Sequence, residues 1–393
     1  PEAFWLTRPA RLSLPLPVSG PGPRDGALPA EQAMDGRIRR IDARVASVED
    51  VRRLDDGNTV FVLTHAAEGL DAEAWLQQVL GAVGGEQVAW KHGLAGGESY
   101  MRRAALRDVW ESLIPGSRHE DNALYMDEEV LKVTGLFEAV WPWLPGFVRA
   151  DLFLDHMPDG FRPSPLCLIA GGAGARSEVH ADPLSWTGWN VLLSGRKAWR
   201  FYPNTPAAEK AFASWRQPFG LPQPGTDASP PRVLCAIGGG WRSALDLFAE
   251  GPPGAGPAGG PEGAGMPVEY VQESGELVVF PGHWWHQTYH LGQTLGIAGQ
   301  VLHAGNLRRV LGHISQWCQL AAPPEAFWSL PSKEAVRQTL ARAIDTSFPG
   351  RGCALLADAR AWEVPPWLLG AFRGAALART ADRGPSPGPG PPA

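Results

Sequence analysis

The chain has 393 residues, enough for two or three average domains or for one large domain with insertions. With 44% hydrophobic residues, 19% charged residues and a net charge of -6, it is neither a disordered acidic chain nor a basic nucleic-acid binder. No apolar run reaches the length of a spanning helix, and residues 1–26 hold no charged segment followed by an apolar one that would read as a secretory signal. Residue 1 is proline, which leaves the natural start open. The 47 glycines and 38 prolines imply much turn and linker. Cys167, Cys235, Cys318 and Cys353 lie far apart with no Cys-x-x-Cys pair, so neither a zinc ribbon nor a disulfide framework is expected. A reducing compartment, cytoplasmic or nuclear, is the corresponding expectation.

Residues 1–35, rich in Pro, Gly and Ala, read as an irregular extension. Ser47-Val48-Glu49-Asp50 has the form of a helix N-cap box, and Thr59-Val60-Phe61-Val62-Leu63-Thr64 is a compact β-branched run expected to form a buried strand. Apolar residues recur at helical spacing in Leu76, Val79, Leu80 and Val83, and again in Leu106, Val109, Trp110 and Leu113. This predicts two amphipathic helices on either side of residues 84–99. Short strand-like runs bounded by Gly, Pro or Asn follow at 148–154, 166–169, 189–193, 198–202, 276–280 and 294–298. Their spacing predicts a mainly β chain, an antiparallel sandwich or barrel. The pattern breaks at about 204–267, where the Gly- and Pro-rich stretch 250–265 reads as a low-complexity loop. Helical periods return in 307–320, 332–344 and 367–375, giving a C-terminal helical region over 306–380, and 381–393 reads as a flexible tail.

The chemically loaded stretch is Ser177-Glu178-Val179-His180-Ala181-Asp182-Pro183. On a strand, residues two apart point to the same face, so His180 and Asp182 can hold one ion together. Alone, so short a motif reads more often as a surface histidine beside a turn aspartate. Further on, residues 275–286 run as a turn, an apolar strand, the turn Pro281-Gly282, and a histidine, His286, on the re-entering strand. In an antiparallel barrel that histidine comes back opposite the His-x-Asp strand. Two imidazoles and one carboxylate on one face of an ion leave adjacent coordination positions open, as non-haem Fe(II) oxygenases require. A closed structural zinc site would need a fourth protein ligand, and none is evident. His283 and His290 stand as alternatives to His286. Trp186, Trp189, Trp284 and Trp285 either shape a substrate mouth or fill the barrel, and Trp199 is expected in the core.

Residues 180–203, with His180-Ala181-Asp182, Asn190 and Gly195-Arg196-Lys197, together with the block ending Pro281-Gly282-His283-Trp284-Trp285-His286, resemble the Jumonji C (JmjC) family of Fe(II)/2-oxoglutarate dioxygenases. The likeness is greatest to the JmjC-only protein hydroxylases, the branch that includes the bifunctional arginine demethylase and lysyl hydroxylase. The resemblance implies a double-stranded β-helix (cupin, jelly-roll) core over 36–305 with an insertion at about 204–267 and flanking N- and C-terminal helices. It implies that His180, Asp182 and His286 ligate Fe(II) at the catalytic centre, the family pattern Pro-Gly-x-Trp-Trp-His favouring His286 as the third ligand. Lys197, one of five lysines among 35 basic residues, falls where the family holds the distal carboxylate of 2-oxoglutarate. A compact ammonium suits that task. Ser177 falls where a hydroxyl assists the same carboxylate, and Asn190 matches an asparagine near metal and co-substrate. Ala298 and Gln300 stand where the branch has Thr and Asn, which puts Gln300 at an altered co-substrate end. Tyr125 is off by several positions from the family's co-substrate tyrosine.

The activity implied is hydroxylation of a protein side chain, with N-methyl demethylation as a related outcome. No zinc-finger cysteine cluster and no lysine-rich run is present and the net charge is negative, so a protein substrate is expected, and neither nucleic acid nor membrane. The C-terminal helices fall where relatives place a dimerisation element, implying a homodimer. Two other readings are a catalytically weak JmjC-like metal-binding protein serving as a protein-interaction module, and a zinc or manganese cupin. In the latter Lys197 would have no evident purpose.

Overall fold

The computed structural model describes residues 38–47, 59–93, 99–113, 123–127, 167–177, 179–182, 186–203, 205–213, 216–218, 241–243, 246–249, 263–301 and 350–354, with isolated positions between 306 and 345. The expectations for residues 1–35, for the strand-like run at 148–154, for most of the helical region 306–380 with its dimerisation element, and for the tail lie outside the described residues.

Strands β1 (Arg39–Asp42) and β2 (Phe61–Thr64) precede helix α1 (Ala72–Val83). Strands β3 (Gln87–Gly93) and β4 (Ser99–Ala105) lead into α2 (Leu106–Ser112), followed by β5 (Ala123–Asp127) and β6 (Cys167–Gly171). Then come β7 (Val179–Ala181), β8 (Thr187–Ser194), β9 (Arg196–Tyr202), α3 (Pro206–Ala213), β10 (Arg216–Pro218) and β11 (Trp241–Ser243). The last four strands are β12 (Val268–Glu273), β13 (Leu277–Phe280), β14 (Trp285–His290) and β15 (Thr294–Val301). They form a nine-stranded sheet in the order β1-β2-β13-β8-β15-β6-β5-β3-β4 and a six-stranded sheet in the order β10-β11-β7-β14-β9-β12. The pairing is antiparallel except between β1 and β2, so the expectation of a mainly β, antiparallel chain holds.

Side-chain alternation explains how the sheets meet. In β2 and β13, Phe61, Leu63, Leu277 and Val279 face the cluster that also takes Trp75, Leu76 and Val79 of α1 and Val109 of α2. Their neighbours Val62, Val278 and Phe280 point the other way, against Trp199, Phe201 and Val268 of the six-stranded sheet. The large sheet is thus covered on both faces, by helices outside and by the small sheet inside, and its central strands read as unbroken apolar runs for that reason. Each large apolar side chain so buried contributes about 1.5–3 kcal/mol. Helix α1 is held at its start by Asp71, whose carboxylate accepts the backbone N–H of Ala74 at 2.9 Å.

Between the two expected helices the structure places the β3–β4 hairpin, paired from Gln87↔Ala105 to Gly93↔Ser99. These strands lie at one edge of the large sheet, where backbone hydrogen bonds rather than a two-sided apolar pattern hold the chain. Inside the 204–267 stretch, α3, β10 and β11 are ordered, and β11 pairs with β7, placing Arg242 opposite His180. The passage from β8 in one sheet to β9 in the other turns at Gly195, whose φ is 84°. A Cβ there would meet the carbonyl oxygen of Gln293 at 2.2 Å, so only glycine fits this turn.

Candidate metal centre

Strands β7 and β14 are neighbours, and His286 is the direct cross-strand partner of His180. Their ring centroids are 4.1 Å apart, and Oδ1 of Asp182 lies 3.8 Å from Nε2 of His180. One ligand atom from each of His180, Asp182 and His286 falls within 4.8 Å of the others, and no other such group of histidine, cysteine and carboxylate occurs among the described residues. His283 and His290, the alternatives left open by the sequence, do not belong to it.

Neighbouring groups orient each member. Nδ1 of His286 lies 3.0 Å from the carbonyl oxygen of Trp284. A carbonyl only accepts, so Nδ1 carries the proton and Nε2 keeps its lone pair for a metal. Burial pulls the His286 imidazole down to about 4, so it is neutral near pH 7. The backbone N–H of Asp182 donates to the carbonyl of Gly282 at 2.6 Å, tying the His-x-Asp segment to the Pro281-Gly282 turn. Burial raises the Asp182 carboxyl, opposed by the charge of His180 and by a hydrogen bond from Gln300. Phe280 and Phe201 stand 4.7 and 6.0 Å from the His286 ring, making that side of the group apolar. Two imidazoles beside a carboxylate that burial disfavours form a donor set that a divalent cation completes.

Behind this group lies a buried cation. Lys197 is 1% exposed, its Nζ donates to Oδ1 of Asn190 at 3.3 Å, and no carboxylate pairs with it among the described residues. Burial pulls its ammonium down to about 7. Nδ2 of Asn190 and Nε2 of His290 are also buried without a hydrogen-bond partner among the described residues. An unpaired amide N–H beside a desolvated ammonium is costly unless an anion joins them, and a carboxylate supplies what both lack. The Ser177 hydroxyl accepts the backbone N–H of Thr288 at 2.9 Å and retains its own proton for donation. Gln300 is at the metal end, on Asp182, whereas Ala298 pairs with Asn190. Tyr125 lies on β5, paired with Ala170.

Trp284 is partly buried against the cluster between the sheets. Trp186, Trp189 and Trp285 are all buried and fill the interior, as does Trp199, whose Nε1 donates to Oε1 of Gln272 at 2.9 Å. Sequence reasoning gave no role to Gln287. Its Oε1 accepts the backbone N–H of Leu247 at 2.6 Å and its amide donates to the Ser177 carbonyl at 2.9 Å, clamping residues 246–249 against the strands of the metal group. Its place next to His286 was the only signal available.

No family model matches the chain. Over 237 residues it is 24% identical to "Arginine-specific demethylase JMJ22" of Arabidopsis thaliana, covering 60% of this chain and 41% of that protein. Over 150 residues it is 31% identical to "2-oxoglutarate and iron-dependent oxygenase JMJD4" of Homo sapiens, covering 38% of this chain and 30% of the relative. "Bifunctional arginine demethylase and lysyl-hydroxylase psr-1" of Caenorhabditis briggsae is 26% identical over 169 residues, covering 42% of this chain and 37% of the relative. The chain spans less than half the length of these curated relatives. They bear out the resemblance to JmjC-domain iron and 2-oxoglutarate oxygenases that the paired motifs carry.

Proposed function

We propose that this chain is an Fe(II)- and 2-oxoglutarate-dependent oxygenase that hydroxylates a protein side chain, with N-methyl demethylation as a related outcome. The observation that carries the reading is the His180, Asp182 and His286 group within 4.8 Å, backed by a buried lysine that no carboxylate neutralises among the described residues. On this reading the two sheets are the halves of a JmjC double-stranded β-helix, with the metal between facing strands at one end. Bound iron and 2-oxoglutarate together supply the oxygen-activating chemistry that oxidises a substrate C–H bond. His286 contributes Nε2, fixed in that tautomer by the Trp284 carbonyl. Asp182 contributes a carboxylate steadied by Gln300. Lys197 binds the distal carboxylate, with Asn190 orienting the ammonium through its Oδ1. Phe280 and Phe201 exclude water from the His286 side.

A protein substrate is supported by the net charge of -6 and by the arginine demethylase and lysyl-hydroxylase names of two of the relatives. The test is an anaerobic titration of the Fe(II)-loaded chain with 2-oxoglutarate, followed by succinate measurement in air. A visible charge-transfer band and iron-dependent succinate formation are expected, both lost in His180→Ala and Asp182→Ala. Iron bound without any band would favour the interaction-module reading, zinc retained through purification would favour the cupin, and undiminished succinate formation by the variants would overturn the assignment.

A further inference from the structure

His290 is fully buried on β14 as the cross-strand partner of Lys197, the two side chains sharing the inward face of the small sheet. Its ring packs against bare backbone of the large sheet, since a Cβ on Gly171 would meet Nδ1 at 2.2 Å. Nδ1 is hydrogen-bonded to the Thr294 hydroxyl, while Nε2 has no partner among the described residues. Burial, reinforced by the charge of Lys197, keeps the imidazole pKa well below its usual value, so the ring is neutral and carries one N–H. A hydroxyl can donate as well as accept. If Thr294 donates to Nδ1, the single ring proton sits on Nε2, the atom that lacks a partner.

We propose that His290, held in its Nε2–H tautomer by Thr294, is a second donor beside Lys197 to the distal carboxylate of the bound 2-oxo acid and makes the pocket selective for a dicarboxylate. The proposal rests on the oxygenase reading above. Lys197 supplies charge, and Nε2–H of His290 and Nδ2 of Asn190, neither of which has a partner among the described residues, supply direction, so the three groups together saturate one carboxylate. Thr294 is a positioning residue acting through the imidazole. The bond it makes also explains the short side chains around the ring: Gly171 leaves room, and Thr294 lies directly opposite it in the β15–β6 register.

The experiment compares two acids on the Fe(II)-loaded chain without oxygen, following the charge-transfer band. One is 2-oxoglutarate, and the other is 2-oxobutyrate, which has the same metal-chelating end and no distal carboxylate. His290→Leu is expected to weaken 2-oxoglutarate about tenfold or more, the loss of a hydrogen bond to a charged group, while leaving 2-oxobutyrate nearly unchanged. His290→Gln, which retains an N–H, restores most of the preference, and Thr294→Val, which leaves the ring in place, reduces it in part. Unchanged 2-oxoglutarate affinity in His290→Leu, or equal weakening of both acids, overturns the role of His290. Should His290→Leu fail to fold, the His290→Gln and Thr294→Val ratios decide the matter, and a wild-type preference in Thr294→Val overturns the positioning role. A wild-type chain that binds iron and gives no band with either acid instead overturns the oxygenase reading, and this inference falls with it.

Discussion

His286 and His180 sit directly opposite one another on adjacent antiparallel strands, with ring centroids 4.1 Å apart, although more than a hundred residues separate them in the chain. The pairing brings two imidazoles to one point without strain, because opposite residues of an antiparallel pair share a face. Asp182 joins them from the position just after the strand that carries His180, and its carboxyl is raised by burial.

That burial makes Asp182 a cost to the metal-free chain. The folded state holds a proton on this carboxyl to higher pH than the unfolded state does, so its contribution to stability falls as pH rises through the window above the ordinary value of 3.8. Asp182→Asn removes the charge and keeps an oxygen for Gln300. The variant is expected to melt at or above the wild-type temperature without metal, and to lose the rise in melting temperature that Fe(II) or Mn(II) gives the wild type. A variant that melts lower without metal, or still responds to metal, contradicts this account.

Lys197, the buried ammonium behind the metal group, sets a second pH dependence. Its folded pKa of about 7 lies below the ordinary 10.5, and the groups facing it are His290, Cys167, Asn190 and Gln272. Because the unfolded lysine keeps its proton up to the ordinary value, the ligand-free chain gains stability from this group as pH rises from about 7 to 10.5. Carboxylate binding needs the ammonium, so 2-oxoglutarate affinity is expected to fall as pH rises above about 7, by up to about tenfold per pH unit, and to be flat below. Titrations from about pH 6 to about pH 9 check this, and Lys197→Met should bind weakly with no such slope.

Trp199 packs between the two sheets, its ring 5.4 Å from that of Phe280 on β13. It is 3% exposed, stacks on Phe201 at a centroid distance of 5.2 Å and donates to Gln272. Trp199→Phe leaves the buried Gln272 oxygen without its donor and is expected to destabilise the chain by about 1–3 kcal/mol in chemical denaturation. A change within measurement error would show that the bond contributes nothing net.

Gly195 is the turn that delivers Lys197 to the interior. Gly195→Ala places a Cβ in left-handed backbone, 2.2 Å from the Gln293 carbonyl. The expected loss is about 1–3 kcal/mol of stability together with weaker 2-oxoglutarate binding and unchanged metal affinity. Equal loss of metal and co-substrate binding would mean that the turn supports the whole fold and not Lys197 in particular.

The sequence by itself determined the local chemistry: the His180-x-Asp182 spacing, the Pro281-Gly282 turn before His286, and the lysine two residues past a turn glycine. Each is a relation within a few residues, where strand period two and turn conformation suffice to say which side chains share a face. It also determined the central strands and helices α1 and α2, whose buried faces give clean apolar patterns. The motif favoured His286 among three neighbouring histidines, and only the tertiary structure showed the register of β14 against β7 that puts it opposite His180. Only it placed Gln300 against Asp182, and brought His290 to Lys197 and Thr294. The β3–β4 hairpin and strands β10 and β11 likewise became visible only as partners, since short or edge strands are held by backbone pairing with distant segments and carry little pattern of their own. Register and burial are properties of contacts between residues far apart in the chain, and a linear reading has no access to either.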